Sequence, residues 1–339
     1  MNVREIAKLA GVSIATVSRV INRPEAVLPE KREQVLAVMR KYNYHPWTRQ
    51  GGDRGRSSTI GLLVPRADDR LAIRMLDGVE SVASRRGFTV YLCGTRGDAE
   101  RERGIVSTAL AQGMEGLIIL TETLDVQTAA ELRKRGVPFV LAGRSEAARR
   151  QNACYINYEE GGYRMVRHLL ELGRENIVLL CGADAPGIVA QMGEGARRAL
   201  SEGGRAREAR VIQAGHSGIG AGYEAAQAVC AGSPDAVFAS SDELALGLMR
   251  ALRERRVNVP EQVAVAGFTD LPSGEVVVPA LTTVEQPAHR LGMVAARMLF
   301  DLIDDGELLE GIPQEIVLVP KLKVRNSCGN RKPINTLFE

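Results

Sequence analysis

A chain of 339 residues, 45% hydrophobic and 25% charged, has an ordinary globular composition but exceeds what one hydrophobic core usually supports, so two or three domains are expected. No run approaches the roughly 18 consecutive apolar residues of a membrane span, and the N-terminus opens with charge instead of an apolar signal, so a cytoplasmic protein with no membrane partner is expected. The net charge of +3 hides an asymmetry: residues 1–58 carry eleven basic and five acidic side chains, a net of +6, which leaves −3 for the remainder.

A basic end on a mildly acidic body suits a polyanion bound at that end alone. A merely solvated surface would give the same count. Five cysteines (Cys93, Cys154, Cys181, Cys230 and Cys328) are scattered without a CxxC or Cys/His cluster. Reduced thiols are expected, with no metal site and no cofactor.

In chain order, Asn2 followed three residues later by Glu5 predicts a capped helix to about Leu9, with Ile6, Leu9 and Ala10 as its apolar stripe. Gly11 breaks it and supplies the positive φ of a tight turn. Ser13 is placed to cap a second helix from Ile14 to about Val20, with Val17 and Val20 facing inward. Pro29 opens a third helix to about Lys41, with Val35, Val38 and Met39 inward. Two short helices across a Gly turn, braced by a third, form a helix-turn-helix; an unrelated three-helix bundle would share the pattern. In the first case the start of the second helix enters the major groove, exposing Ile14, Ala15, Thr16, Ser18 and Arg19. The hydroxyls then reach phosphates or base edges, Arg19 binds a guanine or phosphate with its fork, and Ile14 and Ala15 read thymine methyls or shape.

The run "VREIAKLAGVSIATVSRVINRPEAV", with its AGVS and TVSRV, resembles the headpiece of the LacI/GalR repressor family. The resemblance implies that Ile14, Ala15 and Arg19 select operator bases. It places Asn2, Ser13, Thr16, Ser18 and Asn22 on the DNA backbone or groove edge. Leu28-Pro29 departs from it, standing where a Ser cap is usual.

The linker departs further. The family forms a hinge helix here, whose leucine enters the minor groove and kinks the DNA. In this chain Asp53 takes the leucine's place behind Gly51 and Gly52, and each glycine costs about 1 kcal/mol in a helix interior. Either the linker is a flexible basic tether, with Arg49 and Arg54 on the DNA backbone, or the register shifts and Trp47 supplies the apolar contact. The tether reading expects weakly bent operator DNA.

From Thr59 onward, apolar runs at 59–64, 88–92, 116–120, 138–142, 176–181, 236–240 and 263–268 alternate with helical stretches. Continuous apolar strands between helices predict parallel sheets covered on both faces, and about 270 residues suggest two such units with a ligand cleft at the strand C-termini. No Gly-rich phosphate loop follows the first strand, and "CGADAPG" is a weak phosphate signal. No GxSxG, HExxH or nucleophile pair is visible, so no enzyme is expected. Asp68-Asp69 and Asp304-Asp305 read as solvated turns.

The same resemblance extends through "TIGLLVP", "GVPFVLAGR", "HLLELGRENIVLLCG", "SSDELALGLMRAL", "VPEQVAVAGF", "PALTTVEQP" and "LKVRNS", hence over residues 2–327. It implies a periplasmic-binding-protein-like core of two parallel-sheet subdomains behind the all-α headpiece. The expected domains are 1–46, a linker at 47–58, a core at 59–327 and a tail at 328–339. Within the core, 59–156 with 287–320 and 157–285 with 321–327 form the subdomains, crossing near Asn157, Gln286 and Pro320.

Matched to the family's effector pocket, several charged or amide-bearing positions are replaced: by Gly143, Met192, Ser241 and Thr269, with Leu71 and Ala72 where aromatics often stack. Gln286 is retained, and so are Asp242 and Asp270, both expected as helix caps. Arg66 and Arg144 are candidate substitutes for the missing charges. Met192 and Leu71 read equally well as ordinary core or as a pocket turned toward a less polar or unusual ligand.

The expectation is a homodimeric repressor on double-stranded operator DNA, controlled by a small molecule such as a sugar or sugar derivative. Competing readings are a core answering to a protein partner, a transport protein, and an enzyme. The tail has no leucine heptad, which favours a dimer over a tail-held tetramer.

Overall fold

The computed structural model describes residues 3–22, 27–41, 58–120, 124, 126–143, 151–184, 186–204, 210–305 and 313–330, in two units, Met1–Ser57 and Ser58–Glu339. In the first unit, α1 (Val3–Leu9), α2 (Ile14–Asn22) and α3 (Pro29–Lys41) bury Ile6, Ala7, Val17, Val20, Val35 and Met39 as a small core. α2 runs two residues past the expected Val20. The turn after α1 is closed at Gly11, whose φ of +64° lets the Val12 amide donate to Ala7 O (3.0 Å) and the Gly11 amide to Lys8 O (3.4 Å), satisfying the last carbonyls.

The second unit is two wound sheets. Its strands and helices begin with β1 (Thr59–Val64), α4 (Arg70–Ala83), β2 (Thr89–Gly94), α5 (Ala99–Ala111), β3 (Gly116–Ile119), α6 (Val126–Lys134) and β4 (Phe139–Leu141). They continue with β5 (Ala153–Ile156), α7 (Tyr158–Glu171), β6 (Ile177–Gly182), α8 (Pro186–Glu202), β7 (Arg210–Ala214), α9 (Ile219–Glu224), α10 (Ala226–Cys230) and β8 (Ala236–Ala239). The last are α11 (Asp242–Glu254), β9 (Ala264–Ala266), α12 (Ser273–Val276), β10 (Thr283–Glu285), α13 (Ala288–Asp305), β11 (Glu315–Leu318) and β12 (Lys321–Lys323).

The first sheet has the order β11-β5-β4-β3-β1-β2 and the second β7-β6-β8-β9, every pairing parallel, while β10 and β12 form an antiparallel pair. The continuous apolar strands are explained by burial on both faces. Ile60, Leu62 and Val64 pack with Met75, Val79, Leu291 and Leu299 of α4 and α13. Leu63, Leu117 and Ile119 point the other way, onto Val106, Ala109 and Leu132 of α5 and α6. In the second sheet Leu179 meets Met165, Leu169 and Ala196, whereas Val178 and Leu180 meet Ala221, Leu244 and Leu248.

The chain leaves the first sheet after Ile156 and returns after Glu285, when α13 packs on α4; it leaves again between Leu318 and Lys321, where β12 joins β10. Asn157 marks the first passage: its amide donates to Leu318 O (2.8 Å) and its side chain accepts from the Glu160 amide (2.9 Å), capping α7. Asp304 lies inside the last turn of α13, paired with Arg86 (2.7 Å), so the expected Asp304-Asp305 turn is helix instead. The five cysteines are free; burial pushes the thiols of Cys154 and Cys181 up to about 12 and about 11. Among the described residues no helix is long and apolar enough to cross a membrane.

Candidate functional site

The first candidate surface is the start of α2. Its inner face is fixed by Val17 and Val20 in the core, which turns Ile14, Ala15, Ser18 and Arg19 outward and leaves Thr16 half-buried. Ile14 is 47% exposed and so is available for contact on this face. Ser13 accepts from the Thr16 amide (3.1 Å) and its hydroxyl meets that of Thr16 (2.9 Å), so both polar side chains are ordered at the helix N-terminus. Positive helix-end polarity beside ordered hydroxyls and an exposed guanidinium favours an anionic groove. Asn22 is the last residue of α2. Asn2, Arg49 and Arg54 lie outside the described residues, as does the linker from 47 to 57.

The second candidate surface lies beyond the C-termini of the strands. After β1, Arg66 donates to both carboxylate oxygens of Asp68, from Nε (3.1 Å) and Nη2 (2.9 Å). That hydrogen-bonded pair raises the Arg66 pKa and lowers that of Asp68. The negative charge of Asp184, beyond β6 of the second sheet, also acts on Arg66, so loops of the two sheets face each other. Asp184 accepts from the hydroxyl and amide of Ser217, and a carboxylate there makes the "CGADAPG" loop unfit for phosphate. Asp69 is no free turn either: it caps α4, accepting from the Leu71 amide (2.9 Å). Leu71 itself is half-buried against the core.

Met192, on α8, is 4% exposed and sits in the main core cluster. Ser241 caps α11 by accepting from the Leu244 amide (3.1 Å) and donates to Ser217 O (2.7 Å). The expectation that Asp242 and Asp270 are helix caps is therefore corrected. Asp242 is buried one residue inside α11, and Asp270 pairs with Arg325 at 2.7 Å. Gly143 ends its strand loop among the described residues, and Arg144 lies outside them. Gln286 is half-buried on the passage from β10 to α13. Thr269 has a φ of 140° and a hydroxyl oxygen that is buried without a hydrogen-bond partner.

Sequence reasoning missed Asp184, Ser217 and Arg325. Only Asp184 carried a signal, as a charged residue two positions after a buried strand. A separate hollow of about 410 Å³, lined by Arg174, Pro260, Glu261 and Asn326, sits at the opposite ends of the second sheet's strands.

A helix-turn-helix with one face of its second helix exposed, carried on the same chain as two parallel sheets whose strand-end loops face each other, defines a ligand-responsive DNA-binding regulator. Residues 2–47 match bacterial regulatory proteins of the lacI family, and residues 166–328 match the periplasmic binding protein-like domain. The chain belongs to the lacI family. It is 30% identical to the HTH-type transcriptional repressor PurR of Vibrio campbellii, over 96% of this chain and 98% of that one. It is 28% identical to catabolite control protein A of Priestia megaterium, over 96% and 99%. Among solved structures, the complex of the transcriptional regulator CelR with cellobiose matches with a TM-score of 0.71 at 30% identity, covering 96% of this chain and 99% of the other. A lacI-family regulator from Enterococcus faecium with bound ribose matches with a TM-score of 0.70 at 27% identity, covering 79% and 98%. The protein is thus a DNA-binding transcriptional regulator under small-molecule control, and not an enzyme.

Proposed function

We propose that the chain is a cytoplasmic homodimeric repressor that reads a pseudo-palindromic operator through α2 and releases it when a small-molecule effector closes the cleft. The exposed Ile14, Ala15, Ser18 and Arg19 on a helix whose other face is core-fixed carry this reading. Ile14, Ala15 and Arg19 would select bases, while Ser13, Thr16, Ser18, Asn2 and Asn22 would hold the backbone or groove edge. The linker's Arg49 and Arg54 would add salt-sensitive phosphate contacts.

The effector would lie among Arg66, Leu71, Thr269 and Gln286, with Arg144 as a further candidate. Met192 and Ser241 would serve as wall and support, since one is packed in the core and the other caps a helix. Sugars bound to relatives, cellobiose in CelR and ribose in the Enterococcus faecium protein, support a sugar or sugar derivative. The three passages between the sheets would be the hinge, and closure would act on the headpiece through the first sheet, which follows it directly in the chain. Val276 and Val278, 80% and 91% exposed, support a homodimer.

Selection of bound duplexes from random DNA tests the reading, with a two-fold symmetric consensus expected. Arg19→Ala is expected to lower affinity for that consensus by about tenfold to a hundredfold, the usual cost of one guanine-type contact, with an unchanged thermal midpoint. Equal affinity of the variant would sink the assignment of α2. The occupied Ser241 hydroxyl and buried Met192 also favour a second reading, in which the core answers to a protein partner. A metabolite thermal-shift screen with no stabilising compound would move the balance to it.

A further inference from the structure

The loop after β9 holds two consecutive non-glycine residues at positive φ, Thr269 at 140° and Asp270 at 62°. A β-branched side chain rarely adopts such a backbone unless its surroundings enforce it. The corner's own backbone reaches β10 once, where the Thr269 amide donates to Val284 O (2.9 Å), and the side chain placed to hold the rest is the carboxylate of Asp242, wholly buried at the start of α11. One oxygen accepts from the Leu271 amide (2.6 Å), just past the corner. The Asp242 amide donates to Phe268 O (3.0 Å), just before it. Both flanks are thereby fastened to one residue.

The other carboxylate oxygen accepts from the Thr283 hydroxyl (2.5 Å) on β10, the strand that leads back to the first sheet. Gly267 makes room for this arrangement, because a Cβ there would collide with the Asp242 carboxylate. The corner's outer side is braced separately. Arg325 donates to Asp270 (2.7 Å), to Glu275 (2.7 Å) and to Leu281 O (2.8 Å). What the corner holds in place is the buried, unpaired hydroxyl of Thr269.

We propose that Asp242 is the positioning residue of the effector cleft, holding the Thr269–Asp270 corner in its strained form and tying it to the crossing strand β10. The inference rests on the reading of this cleft as the effector site. The carboxylate is a costly choice for a mere spacer: burial raises its pKa to about 6, with Asp270 repelling its charge and Arg325 attracting it. Asparagine at this position would keep both hydrogen bonds, accepting from Leu271 and donating to the Thr283 oxygen.

Hydrogen exchange of the full-length protein, followed by peptide mass spectrometry, tests the proposal without effector or DNA. Asp242→Ala is expected to speed exchange across 268–275 at least tenfold, leaving the strands of the first sheet at wild-type rates. Asp242→Asn is expected to restore protection. After correction for intrinsic rates, wild type alone is expected to show a pH dependence in this segment between pH 5 and 7. Wild-type protection of 268–275 in Asp242→Ala, or equal loosening of both sheets, overturns the proposal, as does failure of Asn to rescue. If the alanine variant does not fold, Thr283→Val takes its place, with about threefold faster exchange expected in the same segment and no change overturning the proposal. A failed effector screen would leave this result standing, and a failed exchange test would leave the effector reading standing.

Discussion

Asp242 sets a measurable sign at the scale of one residue. Its folded-state pKa, raised by burial to about 6, lies above the ordinary carboxylate value, so the folded chain holds this proton more tightly than the unfolded one. The contribution is fully present below the unfolded pKa and is lost as pH rises through the folded one. Asparagine mimics the protonated form and does not titrate. The Asp242→Asn variant is therefore expected to gain on wild type, on the order of 2–3 kcal/mol, as pH goes from about 4 to about 6.5, with the gap flat above. Denaturant titrations of both proteins at matched pH measure it; a gap that closes with rising pH would falsify the buried-carboxylate account. The neighbouring Ser240-Ser241-Asp242 run shows why such roles were not legible beforehand. All three residues are good N-caps. Only the geometry selects Ser241 as the cap and sends Asp242 inward.

At the scale of elements, the helices of the core pair through reciprocal glycines. On α4 and α13, a Cβ at Gly78 would collide with the His289 carbonyl, and one at Gly292 with the Met75 carbonyl. α7 with α8 repeats the device through Gly162 and Gly195, and α9 with α11 through Gly222 and Gly247. Backbone, not a flexible side chain, is the obstacle, so the helices must move apart to admit a methyl. Gly292→Ala is expected to cost about 1–3 kcal/mol, read as a fall of several degrees in the unfolding of Ser58–Glu339 by calorimetry. An unchanged midpoint would mean that this helix pair yields freely. Most central strands were legible because burial on both faces leaves unbroken apolar runs. Three strands were not: β5 is only four residues long, β7 is an edge strand with mostly exposed side chains, Arg210 among them, and β11 is a short edge strand whose Ile316 and Val317 lie exposed. β10 and β12, three residues each, are too short for a period to register. The headpiece was readable for the opposite reason, since Gly11, Ser13 and Pro29 each mark a boundary by local chemistry.

At the scale of the whole molecule, the charge asymmetry and the exposed valines pull in complementary directions. A single headpiece offers a short helix face and a modest basic charge, too little for tight sequence-specific binding at physiological salt. Two headpieces on one duplex multiply affinity through effective concentration, provided that the cores hold together. In the proposed dimer the end of α12 and the residues just after it are the natural place for that contact, since Val276 and Val278 would otherwise leave almost their whole side chains in water. Val278→Asp adds charge at a site that is 91% exposed, so the fold of one protomer has nothing to lose. It is expected to convert the protein to a monomer in sedimentation velocity and to lower affinity for a symmetric operator by roughly a hundredfold, while affinity for an isolated half-site stays as in wild type. The half-site measurement separates the two contributions. If both affinities fell together, the valines would belong to the headpiece's own function; if the variant stayed dimeric, the cores would meet elsewhere.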